Sequence, residues 1–224
     1  MVRICSIDAV IAGGKSTLID GILQKVKDNK KFMLVPEPVG IWCSIKLSTG
    51  KDFLAAFYDD MHTNALSFQI VALYTRRQLM LQKIKEAEEI EKEIGEEVIL
   101  ITERTILSDY YIFTKMLIEQ GVISEHGKIA YEMWYNDFSK EVHINKSIYI
   151  RISPTVCFNR VQKRNRNGED GITLDYLEDL HKFHEIFNEQ ILSKADSKII
   201  SNESELGTPE YDLLLDEVIK YFSE

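Results

Sequence analysis

The feature that most constrains this chain lies at its start. Residues 2–8, Val-Arg-Ile-Cys-Ser-Ile-Asp, form an apolar run of strand length. Residues 9–17 follow as Ala-Val-Ile-Ala-Gly-Gly-Lys-Ser-Thr, and a helical pattern runs from Lys15 to Val26. A strand, a glycine-bearing turn and a helix are the setting of the phosphate-binding loop G-x-x-x-x-G-K-[ST]. Gly14, Lys15 and Ser16 fit that pattern, and Ala9 stands where its first glycine belongs. In such a loop backbone N–H groups and the helix N-terminus cradle phosphates. Gly13, Gly14, Lys15, Ser16 and Thr17 are therefore the candidate phosphate ligands, with Lys15 reaching the outer phosphates and the Ser16 hydroxyl on Mg²⁺. A chance Gly-Lys-Ser in a turn is the alternative. If position 9 requires a positive φ, alanine there costs on the order of 1 kcal/mol.

The rest of the chain alternates strands with helices. Further strands are expected at 32–36, 98–102, 147–152 and 198–201, each a short apolar run. Pro36 and Pro38 stop the second. A short helix is expected over 52–58, and a long one from about Thr63 into the Glu/Lys mixture of 83–97, a solvated face. Ser108 reads as the N-cap of a helix through Ile118. Helices follow at 124–141, in a basic stretch within 154–171, at 174–192, and at the C-terminus. This predicts an α/β fold, a five-stranded parallel sheet flanked by helices, with ligands outside the carboxyl ends of the strands. No repeat or linker divides residues 1–224, which read as one domain.

The net charge of −9 disfavours polymeric nucleic acid as a partner, since gripping its backbone needs a basic face. No apolar run is long enough to span a bilayer. Three widely spaced cysteines, Cys5, Cys43 and Cys157, read as free thiols. With no signal or transit peptide discernible, the expected location is cytoplasmic.

Three further clusters carry chemistry. Glu37 sits between two prolines at the end of the second strand, with Trp42 just after, and is a candidate general base. A surface-loop glutamate is the alternative. Glu103-Arg104 ends the third strand, where an acidic residue can complete a Mg²⁺ site and an arginine can reach a phosphate. A strand-end salt bridge would look the same. Arg160, Arg164 and Arg166 form a basic cluster that could close over a transferring phosphoryl group or simply end a solvated helix. His181 and His184 do not make the H-E-x-x-H zinc pattern.

Taken together these segments resemble the deoxyribonucleoside kinases, particularly their deoxycytidine/deoxyguanosine kinase branch. The resemblance runs from Ile4 to about Glu189. It is carried by residues 7–17, Glu-Pro-Val with Trp42, Phe68-Gln69, Glu-Arg-Thr (103–105) with Ser108-Asp109, Arg160-x-x-x-Arg164-x-Arg166, and Tyr-Leu-Glu-x-Leu-His (176–181). It implies a P-loop kinase with an arginine-bearing lid at about 160–171. The activity implied is ATP-dependent phosphorylation of the deoxynucleoside 5′-hydroxyl in nucleotide salvage. Glu37 would take the 5′-hydroxyl proton, Arg104 would hold Glu37 and the reacting oxygens, and Lys15, Ser16 and Glu103 would manage ATP and Mg²⁺. Arg160, Arg164 and Arg166 would cover the phosphates. Tyr58 and Glu169 would bind the 3′-hydroxyl, Gln69 would read the base edge, and Phe68 and Phe113 would sandwich the base. Trp42, Leu54 and Phe57 would line the pocket. The Arg76 and Asp109 pair implies deoxycytidine, deoxyadenosine or deoxyguanosine over thymidine. A homodimer through helices near 65–90 and 124–141, with Ala130-Tyr-Glu-Met-Trp134 as aromatic surface, is implied as well.

Two other readings compete. A nucleoside monophosphate kinase such as thymidylate kinase shares the P-loop and arginine lid. A non-catalytic descendant that keeps the fold as a binding or assembly subunit is motivated by Ala9 alone.

Overall fold

The computed structural model describes residues 2–166, 169–201 and 208–224. Five parallel strands form one sheet: β1 (Arg3–Asp8), β2 (Phe32–Val35), β3 (Ile99–Glu103), β4 (Lys146–Arg151) and β5 (Ser197–Ser201), in spatial order β2-β3-β1-β4-β5. The middle of the sheet is buried on both faces, which is why β1, β3 and β4 are buried almost throughout rather than at alternate positions. Helices α1 (Lys15–Lys25) and α10 (Pro209–Ser223) cover one face, packing Leu18, Ile22, Leu215 and Phe222 against Cys5, Ile7, Ile101 and Ile148. Helix α4 (Met61–Ile94) covers part of the other through Met80 and Ala87 against Ile4, Val35 and Leu100. Central β1 pairs with β3 on one side and β4 on the other. The chain leaves it at a topological switch point, where α/β sheets bind ligands.

Beyond the carboxyl ends of the strands lies a second core. It is built from α2 (Val39–Ser44), α3 (Phe53–Asp59), the N-terminal half of α4, the helical run 106–119, α8 (Pro154–Arg164) and α9 (Leu174–Gln190). The run 106–119 comprises α5 (Ile106–Ser108), a π-helical stretch Asp109–Thr114 and α6 (Lys115–Glu119). Helix α7 (Glu125–Phe138) packs on α4 outside it.

Several boundaries differ from expectation. Ser108 is not the N-cap. Thr105 is, and Ser108 Oγ turns back to accept from the Thr105 N–H at 3.1 Å, a capping box that starts the helix three residues early. Helix α2 was not expected, because Pro36 and Pro38 read only as terminators. Pro38 is the N-cap of α2, with the helix beginning at Val39, and proline's fixed φ suits a helix start. Helix α4 stops at Ile94 because Gly95 takes φ 71°, short of the expected Glu97. The expected lid span 160–171 includes residues 167 and 168, which lie outside the described residues.

Candidate active site

One cavity of about 760 Å³ opens at the carboxyl ends of β1, β2 and β3. Every site residue expected from the sequence lines it. Its phosphate side is the loop between β1 and α1. Gly14 adopts φ 92° at the α1 N-terminus, a conformation that favours glycine. Gly13 has no room for a side chain, since a Cβ there would come within 2.7 Å of the Ala9 Cβ. The non-glycine residue with positive φ in this loop is Ala12 (59°), not Ala9. Ala9 is instead fully buried in the α1 core, so the strain considered for position 9 does not arise there. Its carbonyl accepts from Lys15 Nζ (3.4 Å) and Arg104 Nη2 (3.0 Å). Burial and the Arg104 charge push the Lys15 ammonium down to about 8, against the pull of Glu103, Glu37 and Asp8.

Beside the loop, Ser16 Oγ donates to the Glu103 carboxylate (3.1 and 3.2 Å), and Lys15 Nζ stands 3.8 Å from it. A hydroxyl and one carboxylate are hard oxygen donors of the kind Mg²⁺ takes when phosphates and waters complete its shell. No group of three His, Cys, Asp or Glu side chains able to hold a metal occurs among the described residues.

The far wall is a charged network. Arg104 sits at φ 63°, a strained position for a non-glycine residue. It is fixed by its N–H on Ile7 O (3.1 Å) and by its own carbonyl, which accepts from Thr102 Oγ1 (2.8 Å). That conformation aims Nη1 at both Glu37 oxygens (3.0 Å each) and lays the guanidinium over the Phe113 ring (4.9 Å). Arg76, only 3% exposed, bridges three elements. It donates to Asp109 Oδ2 (2.8 Å), Glu37 Oε1 (2.9 Å) and Glu103 O (2.8 Å). Burial alone would raise the Glu37 carboxyl, but Arg104 and Arg76, with Lys15 behind them, hold it down to about 2. Burial raises the Asp109 carboxyl, and Arg76, donating to it at 2.8 Å, opposes that rise.

The apolar part of the cavity is aromatic. Phe68 stacks on Phe57 (4.6 Å, 13°) and meets Trp42 edge-on (5.3 Å). Trp42 is anchored by Nε1 on Thr75 Oγ1 (2.9 Å). One face of Phe68 is thus already covered by Phe57. Gln69 lies beside it on α4 and accepts weakly from Thr114 Oγ1 (3.4 Å). At the mouth, Arg164 grips Glu169 through Nε (3.1 Å) and Nη2 (2.7 and 2.8 Å), with Arg166 Nη1 at 3.4 Å. Burial and Glu169 together push the Tyr58 phenol well up.

Sequence reasoning missed Ile11, Ala12, Pro36, Val39, Ala72, Tyr176 and Tyr211 as lining residues. Ala72 follows Phe68 by four positions on α4, so helical spacing could have found it. Tyr211 comes from α10, and its hydroxyl donates to Thr17 O (3.0 Å) across 194 residues. No local signal marks it.

A β1–loop–α1 phosphate cradle joined to a carboxylate clamped by two arginines defines a kinase of the P-loop fold. The chain belongs to the deoxynucleoside kinase family, which its residues 5–220 match. It is 35% identical to deoxycytidine kinase 2 of Gallus gallus over 199 residues, 82% of this chain and 72% of that protein. It is 29% identical to the mitochondrial deoxyguanosine kinase of Xenopus laevis over 198 residues, 82% and 72% of the two chains. Its fold is that of the deoxyadenosine kinase from M. mycoides with bound dATP, with a TM-score of 0.74 at 24% identity over 97% of this chain and 99% of that one.

Proposed function

We propose that the chain transfers the terminal phosphoryl group of ATP to the 5′-hydroxyl of a deoxynucleoside in nucleotide salvage, taking deoxycytidine, deoxyadenosine or deoxyguanosine in preference to thymidine. One observation carries this reading. The phosphate cradle of Gly14, Lys15 and Ser16 shares a single cavity with Glu37, whose carboxylate Arg104 and Arg76 hold at 2.9–3.0 Å. A sugar hydroxyl on Glu37 then faces the outer phosphate. A carboxyl held at about 2 is a weak base, which suits phosphoryl transfer through a loose transition state that leaves little charge on the attacking oxygen. Glu37 accepts the hydroxyl proton and above all orients the oxygen, while Arg104 fixes that carboxylate and reaches toward the transferred group.

Ser16 and Glu103 would hold Mg²⁺ together with ATP oxygens, and the ion would offset phosphate charge there. Arg160, Arg164 and Arg166 line the same cavity and serve the phosphates. Tyr58 and Glu169 take the 3′-hydroxyl, Gln69 the base edge, and Phe68 and Phe113 the base faces. Trp42, Leu54 and Phe57 wall the pocket. The buried Arg76–Asp109 pair offers a donor and an acceptor to a base edge and leaves little room for the thymine methyl. The names of the deoxycytidine and deoxyguanosine kinase relatives support the same substrate class.

A homodimer through the outer face of α7 and α4 is part of the reading, supported by the exposed Met133 and Trp134. A cytosolic location is supported by three unpaired thiols. No helix among the described residues is long and apolar enough to cross a membrane. The test is turnover of the four deoxynucleosides and of dTMP by the purified protein with Mg-ATP. Thymidine as best substrate would sink the base preference. Turnover of dTMP and of no nucleoside would replace the acceptor altogether.

A further inference from the structure

Of the three cavity-lining arginines between 160 and 166, two are paired in the free protein. Arg164 makes a forked contact with Glu169, its Nε and Nη2 lying 2.7–3.1 Å from the carboxylate oxygens, and Arg166 Nη1 stands 3.4 Å from Oε1. The Glu169 side chain is 6% exposed while those of Arg164 and Arg166 are 34% and 43% exposed. The carboxylate is therefore the fixed member and the guanidiniums the movable ones. Its seat is built. The turn 169–172 is closed by Ile172 N–H on Glu169 O (3.0 Å), and Gly171 lies so close to α3 that a Cβ would come within 2.7 Å of Tyr58 O. Glu169, Tyr58, Arg164 and Arg166 all face the one cavity.

We infer that Glu169 links the two substrate sites: it holds Arg164 and Arg166 away from the phosphates until a nucleoside sugar hydroxyl engages the carboxylate. The inference rests on the assignment above of the 3′-hydroxyl to Glu169 and of the phosphates to the arginines. A guanidinium fork binds carboxylate and phosphate by the same two-point geometry, so the two anions compete for Arg164. A hydroxyl donating to Glu169 occupies carboxylate lone pairs and weakens the fork. Arg164 and Arg166 then become available to triphosphate. Linkage is reciprocal, so triphosphate that draws the arginines off leaves Glu169 free for the sugar and tightens the nucleoside by the same factor. With both arginines partly solvated, the coupling belongs at the weak end of the usual range, about five- to ten-fold.

The experiment is calorimetric titration of a non-hydrolysable ATP analogue into the full chain, alone and with saturating nucleoside. The nucleoside is the best bound of deoxycytidine, deoxyadenosine and deoxyguanosine, and its 2′,3′-dideoxy counterpart serves as control. The deoxynucleoside is expected to tighten the analogue about five-fold or more, and the dideoxy counterpart to leave it nearly unchanged. Glu169→Gln is expected to bind the analogue more tightly than the parent without any nucleoside, and to gain nothing when nucleoside is added. Arg164→Gln should lose the coupling while binding the analogue more weakly. Equal tightening by both nucleosides, or weaker analogue binding by Glu169→Gln, overturns the linkage while leaving the proposed reaction intact. Absence of deoxynucleoside binding to the parent protein overturns the proposed reaction and the linkage with it.

Discussion

Lys15 can meet a phosphate as a cation only while it holds its proton. Its ammonium is pushed down to about 8 by burial and by Arg104. Below that pH the free protein already presents the charge. Above it, triphosphate binding must take up a proton, and the dissociation constant should rise by up to about ten-fold per pH unit. Calorimetry in buffers of different ionisation enthalpy at pH 7 and 9.5 checks this. Equal affinity and no proton uptake at the two values would refute it. Glu37 shows the opposite linkage. Its folded value of about 2 lies below the ordinary 4.5, so it contributes stability above pH 4.5 and that contribution is lost as pH falls toward 2. Glu37→Gln should flatten that acid limb. Arg104 would lose its paired carboxylate and Arg76 one of its two, keeping Asp109, at a cost of about 3 kcal/mol read as a lowered Tm. Turnover should drop at least about 100-fold with ATP-analogue affinity nearly unchanged. Full activity in this variant would unseat Glu37. The sequence made Glu37, Arg104 and Lys15 legible because each sits in a short motif at a strand end. It could not show that Arg76 ties Glu37, Glu103 and Asp109 together, since those partners lie 39, 27 and 33 positions away.

Elements were legible where the apolar period was long and obscured where one residue has two uses. All five strands follow from short apolar runs, and the long α4 from helical periodicity. Helix α2 was hidden because a proline that stops a strand can equally cap a helix. The π-helical stretch Asp109–Thr114 has no compositional sign, yet it carries both Asp109 and Phe113 into the cavity. Such stretches recur at functional sites. Gly171 is the clearest case of an element contact decided by one atom. Its φ is not in the left-handed region, so only space forbids a side chain there. Gly171→Ala would press a methyl against Tyr58 O and lift the 169–172 turn from the end of α3. The expected cost is about 1–3 kcal/mol. Because Glu169 and Tyr58 are displaced relative to each other, KM for the nucleoside should rise while the far wall of Glu37 and Arg104 is untouched. A lowered Tm with an unaltered KM would mean that the turn supports the fold alone.

At the scale of the whole molecule, α7 looks two ways. Its inner face buries Tyr131, Tyr135 and Phe138, and Tyr135 stacks on Tyr110 at 4.3 Å, next to Asp109. Its outer face leaves Ile129, Met133 and Trp134 exposed at 54%, 68% and 55%, positions i, i+4 and i+5 of one helix, while Tyr74 on the neighbouring α4 is 52% exposed. Single exposed apolar side chains are ordinary, but a run of large ones along a helix marks a surface made to be covered. A second copy bringing the same face would cover apolar area with apolar area, as two-fold association requires. The parent should therefore sediment as a dimer, and Met133→Lys with Trp134→Lys should sediment as a monomer. Lys15, Ser16, Glu37, Glu103 and Arg104, the residues assigned to the reaction, meet in one cavity within a single chain. The monomeric variant should accordingly keep kcat within about two-fold of the parent, since no group at the reacting atoms is lost. Its Tm should become independent of protein concentration, whereas that of the parent rises with it. A double variant that still sediments as a dimer would move the interface elsewhere. A monomer without activity would mean that the Tyr110–Tyr135 stack needs the partner to hold Asp109 in place.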